Sequence, residues 1–129
     1  MANINFKREI SATMTEAIER ATKALAAEGF GVLTRIDMDS KIKEKTGKDI
    51  VPTVILGACN PNLAYEAYTT DSDVASLLPC NAVIRETAPG TISLEFIKPT
   101  AMMQVLNDAR LATLAADADG KIERALKNA

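Results

Sequence analysis

The spacing of apolar residues changes period several times along the chain, and each change marks a new element. Ile4 to Ile10 is short and mixed in polarity, with Phe6 between Asn5 and Lys7, the pattern of a half-buried or edge strand. Thr13 followed by Glu16 has capping-box spacing, and Met14, Ala17, Ile18, Ala21 and Leu25 recur on one helical face, so a helix follows and Gly29 ends it. From Phe30 the period drops to two. Phe30, Val32, Thr34 and Ile36 alternate with Gly31, Leu33, Arg35 and Asp37, which predicts a strand. Asp39 to Gly47 reads as a short charged surface helix with Ser40 as N-cap and Ile42 as its only large apolar residue.

Pro52 interrupts the chain before Thr53-Val-Ile-Leu-Gly-Ala-Cys59, a β-branched-rich apolar run whose length suits a buried strand. Asn60 and Pro61 then start a helix, asparagine as N-cap and proline at the first helical position, where its missing N–H costs nothing. A second helical stretch from Asp71 to Leu78 stops at Pro79, and Cys80 to Glu86 reads as a strand. Ala88-Pro89-Gly90 has the composition of a hairpin loop, and Thr91 to Ile97 alternates Ile92, Leu94 and Phe96 against Ser93 and Glu95, so these two strands are expected to pair antiparallel. The remainder from Thr100 is helical, with an apolar stripe broken near Asp117 to Gly120 and resumed by Ile122 to Leu126.

The predicted class is therefore α+β, a single domain over residues 1–129 with one mainly antiparallel sheet and helices on one face. Ile55 alternates with Leu56 and Val83 with Ile84, so both sheet faces carry apolar side chains. The second face needs a cover, and a symmetric homodimer through the sheet or its edge is the expected one.

Composition narrows the function. The chain has 129 residues, 47% apolar and 25% charged, enough for a core without disulfides or metal. A net charge of -2 gives no average positive surface, so nucleic acid is not an expected partner. No apolar run approaches the ~20 residues of a membrane span, and the N-terminus lacks the apolar core of a secretory signal, so a cytoplasmic protein without a membrane partner is expected. The chain contains no histidine, which excludes histidine-based triads, histidine zinc sites and histidine-ligated haem. No cofactor motif is present: Gly29-Phe-Gly31 lacks the third glycine and following helix of a phosphate-binding loop. The cysteines, Cys59 and Cys80, are too few for a structural zinc site within one chain.

Those cysteines carry the most informative local chemistry. Leu56-Gly-Ala-Cys-Asn-Pro61 places Cys59 between a strand and a helix start, where unpaired N–H groups favour a thiolate or an anionic ligand. The same residue equally suits a small buried apolar role. Cys80, in Leu77-Leu-Pro-Cys-Asn81, stands at a second junction with the same two readings. The run Asp37 to Lys45 places Lys43 or Lys45 near a cleft or else on a solvated helix face, and Asp37 is either a cation ligand or an N-cap. Met102 and Met103 read as packing, and Tyr65 and Tyr68 as residues with a buried body and a wet tip.

Four stretches, taken in order, resemble a known family: Glu28-Gly-Phe-Gly-Val-Leu-Thr-Arg-Ile-Asp37, Ile42-Lys-Glu-Lys-Thr-Gly47, Ile55-Leu-Gly-Ala-Cys-Asn-Pro61 and Leu77-Leu-Pro-Cys-Asn81. The chain is similar to the domain-of-unknown-function family 302, small bacterial and archaeal proteins, over nearly its whole length. The resemblance implies a β-α-β4-α two-layer sandwich of TATA-binding-protein-like topology and a tendency to form homodimers, and it assigns no reaction. It makes Asp37, Lys43, Gly57, Cys59, Asn60, Pro61, Pro79, Cys80 and Asn81 candidates for a shared pocket. Thr46 departs from the apolar residue common there. The function expected is a homodimeric module binding a small ligand near Cys59 and Cys80, the alternative being a thiol-dependent redox or sulfur-transfer protein using both cysteines.

Overall fold

The computed structural model describes residues 3–129, and every strand in it pairs antiparallel. In chain order the elements are β1 (Asn5–Ser11), α1 (Met14–Ala27), β2 (Gly31–Asp37), α2 (Met38–Thr46), β3 (Thr53–Cys59), α3 (Pro61–Thr70), a 3-10 turn (Ser72–Leu77), β4 (Cys80–Ala88), β5 (Thr91–Ile97), α4 (Pro99–Met103), a second 3-10 turn (Gln104–Leu106) and α5 (Ala109–Asn128). The sheet order is β1-β5-β4-β3-β2, so the α1 connection carries the chain from one edge to the other. This is the β-α-β4-α plan implied by the resemblance, with α2, α3 and α4 as insertions.

Local chemistry sets several boundaries as read from the sequence. The Glu16 N–H donates to Thr13 Oγ1 and the Thr13 N–H to Glu16 Oε1, both at 3.1 Å, closing the capping box of α1. Asn60 Oδ1 accepts the Leu63 N–H at 3.2 Å, with Pro61 in the first turn of α3. The β4–β5 hairpin turns on Pro89 and Gly90, Gly90 taking φ +79, and Ala88 already pairs with Thr91.

Other boundaries differ. Strand β2 bulges between Val32 and Thr34. Val32 pairs with Ala58 on the helix-covered face, whereas Thr34 and Ile36 pair with Gly57 and Ile55 on the other, so the expected one-sided row from Phe30 to Ile36 is broken. Helix α2 begins at Met38 rather than behind Ser40. The Asp39 carboxylate accepts the Thr53 N–H at 3.0 Å, tying the helix to β3. Residues 72–77 form a 3-10 turn rather than a full helix. The C-terminal helix is not broken at Asp117 to Gly120. The break lies at Asn107, with φ +48, and α5 then runs unbroken because Leu111, Ala115, Ala118, Ile122 and Ala125 give it one continuous buried face. A glycine within that helix costs only about 1 kcal/mol relative to alanine, less than the buried face contributes.

Two apolar clusters fill the molecule. The larger joins Ile10, Leu56, Ile84, Ile92, Leu94 and Phe96 from the sheet to Ala17, Ala21 and Leu25 of α1 and Ile122 of α5. The smaller gathers Ala67, Val74, Met103, Leu111 and Ala115 where α3, α4 and the start of α5 meet. On the opposite sheet face the row Ile36, Ile55, Val83, Glu95 and Lys7 crosses all five strands. Ile36 there is 42% exposed, while Glu95 is buried beneath Arg85 at 3.2 Å and Ser93 at 2.9 Å. No helix among the described residues is long and apolar enough to cross a membrane.

Candidate functional site

The two clusters do not fuse completely, and a narrow cleft remains at their seam. Phe30, Ala58, Cys80 and Ala118 border it from the larger cluster, and Ala67, Met103, Leu111 and Ala115 from the smaller. Leu63 and Ala64 of α3 face Leu114 of α5 across it, and Cys59 and Asn60 stand at the strand-to-helix junction. The cleft has a volume of about 40 Å³. One water needs roughly 10–15 Å³ by that measure, so about three or four such groups fit without side-chain movement. The walls are almost wholly apolar, which sets the chemistry: they favour hydrocarbon and offer little to an ion.

The two thiols reach the cleft differently. Cys80 pairs with the position of Ala58 and is buried on the helix-covered side. Cys59 follows the alternation of Ile55 and Gly57, so the pleat starts its side chain toward the other face, and it is half-buried. Both border the cleft because the cleft opens where β3 ends. Burial, followed by the neighbouring Cys59 and Asp119, pushes the Cys80 thiol up to about 12, and burial raises Cys59 as well. Among the described residues no positive charge opposes either shift, so both groups are protonated thiols at neutral pH. Among the described residues no cluster of three or more cysteine or acidic side chains is gathered to hold a metal ion.

The remaining candidates are scattered. Asn60 lines the cleft, and Pro61 follows it on an exposed first turn. Gly57 faces away from the cleft, beneath Thr34 and Pro79. Asn81 pairs with Gly57 on that same open face and is exposed. Asp37 pairs with Val54, five residues along β3 from Cys59, a separation of roughly 17 Å at strand spacing. Its partner is Arg35 at 2.9 Å, not a lysine, while Lys43 is exposed on α2 and pairs with Asp49 at 3.2 Å. The single pocket expected for all nine residues therefore reduces to Cys59, Asn60 and Cys80. Tyr65 and Tyr68 are 70% and 55% exposed and take no part in it.

Most of the walls of the cleft come from residues outside the motifs that mark the junctions. The available signal was a pair of helices with small residues facing one another, Ala64 and Ala67 on α3 against Ala115 and Ala118 on α5. The sequence marks Gly29 as a helix stop and not as part of a phosphate-binding loop, and a side chain there would meet Asn60 Nδ2 at 2.9 Å. Glycine at that point, with φ +83, leaves the Asn60 amide its place.

Comparison with known proteins agrees with the fold. The profile of the family described as domain of unknown function DUF302 matches residues 6–129. The chain is also similar to a crystal structure of an uncharacterized conserved DUF302 protein from Bacillus stearothermophilus, with 34% identity, 98% of each chain covered and a TM-score of 0.90. A search of curated proteins gives no match.

Proposed function

The chain belongs to the DUF302 family, and from that premise we propose that it is a small-ligand-binding module whose site is the cleft between α3 and α5, bordered by Cys59, Asn60 and Cys80. The observation that carries this reading is an apolar cleft left open between the two apolar clusters, with a polar side chain at its rim. A tail of three or four carbons buried there gains roughly 2–3 kcal/mol, which corresponds to a dissociation constant of roughly 6–35 mM unless a polar head adds to it. Thiol-dependent redox or sulfur transfer is not favoured, because both thiols hold their protons and leave the sheet toward different faces.

The test is a native mass-spectrometry and thermal-shift screen of small, mainly apolar metabolites against the parent and Ala64→Leu. Ala64 is a half-buried wall residue on a helix, so leucine fills the cleft without breaking the backbone. Binding by the parent that Ala64→Leu loses supports the site; no binding, or equal binding by both, removes it.

The module is further proposed to work as a homodimer through the open sheet face. Ile36, Ile55 and Val83 supply a contiguous apolar row beside the mixed charges of Lys7, Glu9, Arg85 and Glu95, a surface that can complement its own copy across a two-fold axis. Light scattering after size exclusion is expected to give twice the chain mass, and the chain mass for Ile36→Asp. A monomeric parent contradicts it.

A further inference from the structure

The rim of the cleft holds one polar group with unused capacity. Asn60 Oδ1 accepts the Leu63 N–H at 3.2 Å, and the half-buried Asn60 side chain donates no hydrogen bond among the described residues. The helix cap fixes the orientation of that amide, and the bare glycine at position 29 leaves its Nδ2 room, since a Cβ there would lie 2.9 Å from it. An NH2 group donates only, so it recognises an acceptor oxygen. The apolar walls next to it accept hydrocarbon and exclude a charged group deeper in.

Resting on the ligand-binding reading above, we infer that the cleft takes a short-chain acyl compound: an unbranched tail of about three or four carbons between α3 and α5, with its carbonyl or carboxylate oxygen accepting from Asn60 Nδ2. A short primary ammonium compound of the same length has the tail but no acceptor, and is selected against. Two parts of the site thus carry separate tasks: Ala64, Ala67 and Ala115 leave the tail its volume, and Asn60 fixes which end stays at the rim.

Butyramide, butyrate and butylammonium are the probes, titrated into labelled protein while the Asn side-chain NH2 and the Leu and Met methyl signals are followed by NMR. Butyramide and butyrate are expected to bind with millimolar-range dissociation constants, shifting the Asn60 NH2 signals together with the Met103 and Leu111 methyls; butylammonium is expected to bind at least about fivefold more weakly. Asn60→Asp keeps an N-cap acceptor for Leu63 while removing the donor. It is expected to weaken butyramide about five- to tenfold and butyrate more, with an unchanged melting temperature as the check on folding. If Asn60→Asp binds butyramide within about twofold of the parent while the methyl signals still shift, the acyl inference falls and the ligand site stands. If no probe shifts any cleft signal at tens of millimolar, both fall.

Discussion

Gly57 links the register of the sheet to the packing over its open face, and Gly57→Ala tests both. A methyl group at this position would overlap Thr34 Oγ1 and lie 2.7 Å from Pro79 Cγ. Carbon–carbon contacts settle near 3.5–4.0 Å, so the proline ring has to retreat by about 1 Å and the threonine hydroxyl has to move aside. The hydroxyl swings by a bond rotation. The ring has less freedom, because it sits between the 3-10 turn and β4. Overpacking of this kind costs ~1–3 kcal/mol, against ~0.5–1 kcal/mol regained by removing glycine from a strand interior, for a net loss near 1–2 kcal/mol. In a domain of this size that lowers the melting temperature by roughly 4–8 °C, read by thermal and urea unfolding. Combining the change with Thr34→Ala removes one of the two overlaps, so the pair is expected to be more stable than the sum of the single effects by at least ~0.5 kcal/mol. A Gly57→Ala protein as stable as its parent, or strictly additive changes, would refute the closure of Thr34 and Pro79 over this strand.

The raised Cys80 pKa makes stability pH-dependent in a fixed direction. The folded thiol keeps its proton up to about pH 12 while an ordinary thiol loses it near 9.0, so its contribution is whole below pH 9 and is lost as pH rises toward 12, at up to ~1.4 kcal/mol per pH unit. Urea unfolding between these limits is expected to show a steeper decline for the parent than for Cys80→Ala; parallel curves contradict the shift. Alkylation of the native protein is expected to label half-buried Cys59 first and buried Cys80 only on unfolding, and equal rates would show that Cys80 is not shielded. At the other end of the core, Arg8 Nη1 donates to the main-chain oxygens of Leu126, Lys127 and Ala129 at 3.0, 2.8 and 2.9 Å, placing a positive charge on the last turn of α5. Arg8→Met is expected to cost roughly 2–3 kcal/mol and to speed amide exchange in that turn, with Arg8→Lys recovering part; a loss under ~0.5 kcal/mol would mean that water serves those carbonyls equally well.

Much of the fold was legible because its signals are local. Thr13 and Glu16, Asn60 and Pro61, and Pro89 and Gly90 act within a few residues of themselves, so their spacing alone specifies two helix starts and a hairpin. The misread segments depend on contacts distant in sequence. Nothing near Leu33 announces the bulge that moves Thr34 and Ile36 to the opposite face; the register with β3 imposes it. Ser40 looked like a cap because serine is a good one, but Asp39 is drawn to the Thr53 N–H 14 residues away and the helix starts earlier. Asp117 to Gly120 looked like a break on propensity, and burial of the residues around them overrode it.

The site was partly legible for the same reason. Cys59, Asn60 and Cys80 stand at junctions that the sequence marks, and the sheet register places those junctions side by side, since Ala58 pairs with Cys80. Asp37 and Lys43 share the same stretch of motif but leave β2 and α2 at the far end of β3, where adjacency in a linear pattern gives no proximity in space. The cleft itself arises from a mismatch between layers. Asn107, with φ +48, ends the helical run that begins at Pro99, so α4 and α5 are separate helices, and Ala67 of α3 joins Met103 and Leu111 from them in the smaller cluster. Small side chains on α3 and α5 leave the space between these helices unfilled. The volume at the seam depends on the break and the alanines together, so restoring a straight helix or enlarging one wall residue closes the same space by different routes.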